Sequence, residues 1–255
     1  GISAPADLST TTRTVVRDVS FSVEKGQCVA LVGESGAGKT LTSRSIVRLL
    51  PGGARVTQGR ILFKGEDVLN LPEKSVMALR GRKIGMVFQD PLAALNPLHR
   101  VGDQVAECLR AHESLSEEQV RSRVLDLFDL VRLDHAAERY RAYPHQLSGG
   151  QRQRIMLALA VANKPDLLIA DEPTTALDAT VQQAILELLR DMRAELGMGL
   201  LLVSHDLGMV RRFADTVHVM RHGEIVESSF SLFADPQHEY TRALLHTGSR
   251  QWAED

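Results

Sequence analysis

Cysteine is almost missing from this chain: Cys28 and Cys108 are the only two in 255 residues, and they stand far apart. They form no CxxC pair. A disulfide framework is therefore not expected, which suits a reducing cytosol. Long apolar runs are missing as well. None approaches the roughly 20 residues that a membrane-spanning helix needs. The opening GISAPADLSTTTR has no apolar stretch of the kind a secretory signal carries. Any membrane role is thus expected to come through a partner. Nor is there an excess of basic charge. Lys and Arg number 30 against 32 Asp and Glu, a formal net charge of −2. That balance gives no global attraction to nucleic acid or anionic lipid. What remains, 44% hydrophobic and 24% charged, is the make-up of a globular chain with room for one large domain or two small ones.

Residues 1 to 13 are rich in Ser, Thr, Ala and Pro and are expected to be loosely held. VVRDVSFSV (15 to 23) alternates apolar and polar, as a half-buried strand does. Short apolar runs at 27 to 33, 83 to 89, 166 to 171 and 199 to 205 read as buried strands. Helical patterns lie between them, the first from about Gly38 to Leu50, where PGG stops it. The amphipathic stretch ATVQQAILELLRDMRAEL is another helix, and TVHVMRHGEIVES is a strand hairpin. Buried strands alternating with helices imply an α/β fold whose mainly parallel sheet is flanked by helices. The mostly helical block between Gln89 and Asp166 breaks that alternation and reads as an inserted subdomain.

Three short stretches carry the chemistry. GESGAGKT (33 to 40) fits G-x-x-x-x-G-K-[ST], between an expected strand and an expected helix. Glycines let the backbone N–H groups turn inward around phosphates. The helix start adds positive potential, Lys39 a point charge, and Thr40 a hydroxyl for Mg²⁺. LLIADEP (167 to 173) ends a buried strand on two carboxylates. Behind a phosphate loop, Asp171 is placed to hold Mg²⁺ through its water shell and Glu172 to polarise an attacking water. LSGGQ (147 to 151) opens a mostly buried helix with Ser148 as its N-cap. Glycine disfavours helix by roughly 1 kcal/mol per residue. Two glycines in the first turn therefore mean either an ordinary glycine entry turn or a backbone that an anion must approach closely. His218 and His222 are four apart on a strand and turn rather than a helix, so a non-metal reading is preferred.

In order and spacing, the phosphate loop, VFQD, LSGGQ, LLIADEP, TALD and VSHD resemble the nucleotide-binding domain of ATP-binding cassette (ABC) proteins over nearly the whole chain. The resemblance implies a P-loop NTPase with an N-terminal antiparallel β region and a RecA-like core over 1–89 and 164–255. About 90–163 would form the inserted helical subdomain carrying the signature. It implies ATP and Mg²⁺ held by Gly33, Glu34, Ser35, Gly36, Ala37, Gly38, Lys39, Thr40 and Gln89, with Asp171 reaching the metal through water. Ser148, Gly149, Gly150 and Gln151 would bind the γ-phosphate of ATP held by a second cassette, which answers the question that the two glycines raise. Gln89 would sense Mg²⁺ and nucleotide and, with the region to Asn96, relay to two membrane permease subunits. Asp178 would touch the opposing cassette. Glu172 and His205 would be the catalytic pair.

Longer stretches, among them MVFQDPLAALNPLHRVGDQVAE and DPQHEYTRALL, resemble the ATPase subunits of peptide and nickel importers. HEYTRALL reads as their short C-terminal helix. The implied setting is the cytoplasmic face of the cell membrane, with an extracytoplasmic substrate-binding protein as an indirect partner and no nucleic acid. The accessory ATPase of carbon–phosphorus lyase systems, acting in a soluble complex, shares much of the pattern and is the alternative. Three departures stand out. No cysteine cluster follows HEYTRALL, so no iron–sulfur cluster is expected, and a short nickel-type subunit or half of a tandem fusion is. TTTRT at 10 to 14 has no aromatic to stack on adenine. Pro5 is expected to spoil the usual first strand.

Overall fold

A computed structural model describes residues 1–5, 12–175, 177–230 and 232–251. The chain divides into two compact units, Gly1–Met77 with Leu201–Asp255, and Ala78–Leu200. In the first unit, β1 (Ile2–Pro5) pairs antiparallel with β2 (Thr12–Val16). This corrects the expectation that Pro5 spoils the first strand. Pro5 is the last residue of β1, and a proline at a strand's end disturbs the ladder little. Thr12, Arg13 and Thr14 of the TTTRT stretch lie in β2, whereas residues 10 and 11 fall outside the described residues. The strand expected over 15–23 is also corrected. Only Val15 and Val16 belong to β2, because Asp18 turns the chain out of extended geometry at φ 49°.

The chain then enters β3 (Cys28–Val32), buried at every residue, and passes through the phosphate loop into α1 (Lys39–Ile46). Helix α1 stops well before PGG. Arg48 adopts φ 53°, Leu49 N–H donates to the Arg44 carbonyl at 2.9 Å, and Arg48 N–H to that of Ser45 at 3.1 Å. This pair of bonds is a Schellman closure, with arginine in the left-handed seat that glycine usually takes. β4 (Arg55–Val56) extends β1 on its other side, giving the antiparallel order β2-β1-β4. A hairpin of β5 (Leu62–Phe63) and β6 (Glu66–Asp67) leads to α2 (Glu73–Leu79), within which the division between units falls.

The second unit begins with β7 (Ile84–Val87), followed by the short α3 (Pro91–Ala94). Then come α4 (Val101–Arg110), α5 (Glu117–Leu130), α6 (Ala136–Arg139) and α7 (Gly149–Val161). Ser116 and Gln119 close the start of α5 with a capping box. Phe128, Leu109, Ile155 and Leu157 are fully buried, so these helices bring their own apolar core. β8 (Leu167–Asp171) pairs parallel with β7. α8 (Ala179–Leu196) covers the span that its apolar spacing indicated and ends on Gly197 at φ 60°. β9 (Gly199–Ser204) contains the second division point; in this unit the strand order is β9-β8-β7.

Back in the first unit, α9 (Leu207–Phe213) precedes β10 (Thr216–Arg221), which pairs parallel with β3, and β11 (Glu224–Ser229). The order there is β11-β10-β3-β9, with β11 antiparallel and β3 parallel to β10. The last element is α10 (Glu239–Gln251). This is the mainly parallel α/β architecture expected, with a separate antiparallel sheet near the start.

Two observations bear on stability. A Cβ placed on Gly85 of β7 would run into the backbone carbonyl of Ala160 in α7, so the strand and the helix that follows LSGGQ touch through bare backbone. Gly85→Ala is expected to lower unfolding free energy by about 1–3 kcal/mol. Gly52→Ala, with open space around it, leaves the urea midpoint unchanged. The second observation concerns the two histidines. His222 lies in the β10–β11 turn at φ 49°, while His218 is buried in β10. The His218 ring tilts against Phe21, and its Nδ1 is 2.7 Å from the Ser228 hydroxyl. Burial pushes the His218 pKa below its ordinary 6.5. The unfolded chain therefore takes up the proton first, and stability falls as pH drops below about 6.5. His218→Phe is expected to flatten stability against pH in that window, as urea melts at pH 7 and pH 5.5 will read.

Candidate nucleotide site

The loop between β3 and α1 owes its shape to glycine. Gly33, Gly36 and Gly38 have φ of 149°, 82° and 104°. At Gly33 a Cβ would strike the Met220 carbonyl, and at Gly38 it would lie 2.9 Å from Met220 Cε and Val16 Cγ2. Gly38 is the N-cap of α1 and offers no side-chain hydrogen bond, and no acidic residue occupies the first turn. The N-cap thus supplies no side-chain acceptor and the first turn no carboxylate, which suits an anion at the helix start. Lys39 is buried, and its Nζ donates to the carbonyls of Gly33 (2.8 Å) and Glu34 (3.0 Å). The ammonium is folded across the loop that it serves. Glu34, Ser35 and Gly36 are exposed at the rim, and Thr40 is half-buried. In the same unit His205 follows β9 directly and is exposed, while the Asp206 N–H behind it donates to Ser204 Oγ at 2.9 Å.

The second unit gathers the carboxylates. Asp171 closes β8 and is fully buried. Glu172, next in the chain, sits at φ 49°, a left-handed seat that no glycine relieves and that costs of order 1–3 kcal/mol. Glu172 Oε2 accepts from Gln89 Nε2 at 2.9 Å and from Thr175 Oγ1 at 3.0 Å. Gln89 lies just beyond β7, so the parallel pairing of β7 with β8 brings the two side chains together. Thr175 was not singled out from the sequence, and only the TT that follows DEP hinted at it. Within this unit Asp171 and Gln89 offer hard oxygen atoms, of the kind that suits Mg²⁺ rather than a soft metal.

The signature segment is built within the same unit. Ser148 Oγ accepts from the Gln151 N–H at 3.3 Å, and Gln151 Oε1 accepts from the Ser148 N–H at 3.0 Å. The start of α7 is therefore a full capping box. Its glycines have a packing reason that the sequence did not disclose. A Cβ on Gly150 would lie 2.8 Å from Val181 Cγ1, and one on Gly149 would lie 3.3 Å from Leu177 Cδ2. Asp178 caps α8, accepting from the Val181 N–H at 3.0 Å. Gln182 Nε2 donates to the carbonyls of Thr174 (3.2 Å) and Leu177 (3.0 Å), tying down the stretch after Glu172.

Residues 16–175 match the family model described as ABC transporter. The chain belongs to the ABC transporter family. Among curated ABC relatives, the peptidoglycan transport ATP-binding protein YejF of Agrobacterium fabrum is 52% identical over 237 residues, 92% of this chain and 43% of that protein. The dipeptide transport ATP-binding protein DppD of Bacillus subtilis is 49% identical over 233 residues, 90% of this chain and 70% of that one. The chain thus spans less than half the length of YejF. The ABC cassette MJ0796, solved as a dimer in a post-hydrolysis state with ADP and Pi, superposes with a TM-score of 0.79 at 28% identity. That match covers 89% of this chain and 95% of MJ0796. No helix among the described residues is long and apolar enough to cross a membrane.

Ser148→Ala removes one arm of the capping box and is expected to lower unfolding free energy by about 1 kcal/mol. Ser148→Thr is expected to recover most of it, as chemical denaturation will show.

Proposed function

We propose that this chain is the ATP-hydrolysing cassette of a peptide importer. Its carrying observation is the Glu172 carboxylate, held at φ 49° between Gln89 and Thr175, in a chain whose phosphate loop runs into a helix with a glycine N-cap and no acidic residue in its first turn. Lys39 and the amides of the 33–40 loop bind the phosphates. Thr40 and Gln89, with Asp171 through water, would hold Mg²⁺, whose positive charge would be supplied to the phosphate oxygens. Glu172 takes the proton of an attacking water, with Gln89 and Thr175 fixing which oxygen faces it. His205 steadies the same water and the γ-phosphate oxygens. Positioning and charge supply most of the rate, as phosphoryl transfer demands.

The reaction centre is completed by a second cassette, the same chain or a related one. Ser148, Gly149, Gly150 and Gln151 on each serve the nucleotide of the other, and Asp178 lies in the facing contact. The helical subdomain, about 90–163, and the region from Gln89 to Asn96 carry closure to two membrane permeases at the cytoplasmic face. An extracytoplasmic binding protein delivers the cargo. The transport names carried by DppD and YejF favour peptides over nickel, and give no support to a soluble carbon–phosphorus lyase role.

Glu172→Gln is expected to keep ATP affinity while steady-state phosphate release falls by roughly 10²-fold or more. With ATP it accumulates as a dimer in sedimentation. Lys39→Ala is expected to lose nucleotide binding itself. Normal phosphate release from Glu172→Gln would remove Glu172 from its role.

A further inference from the structure

The phosphate loop is held from a direction that its own motif does not include. Tyr240, in the first turn of α10, is buried, and its phenol oxygen accepts the backbone N–H of Glu34 at 3.2 Å. The carbonyl of that same Glu34 accepts from Lys39 Nζ at 3.0 Å. One loop residue is therefore gripped at both ends, by Tyr240 on its amide and by the phosphate-binding ammonium on its carbonyl. Between Gly33 and Gly38 the backbone carries three positive-φ glycines, and within the loop the Ala37 N–H also donates to the Glu34 carbonyl at 3.2 Å.

Tyr240 is itself built into place. The Arg221 guanidinium, at the end of β10, lies 4.7 Å from the centre of its ring. Glu227 of β11 accepts the N–H groups of Gln237 (2.8 Å) and His238 (3.0 Å), and His238 Nδ1 accepts the Tyr240 N–H at 3.1 Å. The start of α10 is thus clamped to β11. Burial pushes the Tyr240 pKa up, so the group stays a neutral phenol. A neutral oxygen can accept from an amide without placing negative charge beside a phosphate site.

We infer that Tyr240 is a positioning residue of the phosphate loop, holding the Gly33–Glu34 peptide so that the carbonyls of Gly33 and Glu34 meet Lys39 and thereby setting nucleotide affinity from the C-terminal helix. This rests on the reading of the loop as an ATP site. One hydrogen bond of this kind is expected to change affinity by roughly 3- to 10-fold.

Tyr240→Phe in the full chain removes the hydroxyl and keeps the ring against Arg221. In nucleotide-free protein, amide hydrogen exchange should quicken in peptides spanning 33–40 and stay unchanged elsewhere. Equilibrium binding of ATP without Mg²⁺ should weaken by about 3- to 10-fold, and KM for ATP should rise with kcat held. Unchanged exchange in the loop overturns the inference, as does acceleration throughout the chain, which would mark Tyr240 as a general packing residue. Equal ATP affinity in parent and variant overturns it too. If the parent itself binds no ATP, the reading of function fails, while the exchange comparison still decides whether Tyr240 holds the loop.

Discussion

An α-helix begins with amides that its own ladder cannot satisfy, and what is done with them organises this chain. At α1 they are left without a side-chain cap, behind a glycine N-cap and a first turn free of carboxylates. At α7 the opposite choice is made: Ser148 and Gln151 close a reciprocal cap. The first arrangement keeps positive potential at a loop with glycine at 33, 36 and 38. The second stiffens a helix start while leaving only glycine at the two positions after the cap. The two termini therefore differ in whether an N-cap side chain takes up part of the helix start.

The acidic strand end follows a related logic. An extended backbone at Glu172 would let β8 set the direction of its carboxylate by alternation. The left-handed turn at Glu172 instead breaks the alternation directly after buried Asp171, and hydrogen bonds from Gln89 and Thr175 to one carboxylate oxygen define the result. Backbone strain, strand pairing and two neutral donors thus act on a single side chain. Gln182 and Asp178 hold the stretch that follows, so the segment from β8 into α8 is anchored at each end.

Burial explains where departures from simple patterning occur. Arg48 and Glu172 occupy left-handed positions without being glycine, one to close α1 and the other to aim a carboxylate. Gly85, Gly149 and Gly150 are small because a neighbouring backbone or aliphatic side chain leaves little room, not because their own φ requires it. A glycine in sequence does not declare which of these reasons applies; the distinction lives in packing.

The sequence alone determined the local decisions, since each is made by neighbouring residues. Apolar runs marked β3, β7, β8 and β9. Amphipathic patterning marked α8 to the residue, Ser148 marked a cap, and GESGAGKT marked a strand-to-helix phosphate loop. Tertiary structure decided what depends on residues distant in the chain. It ended α1 early, made a strand of Ile2–Pro5, set Gln89 beside Glu172, and put Val181 above Gly150. It also tied Tyr240 to Glu34 across more than two hundred positions. Those contacts hang on sheet register and on how one helix seats against another, and no short window of residues encodes either.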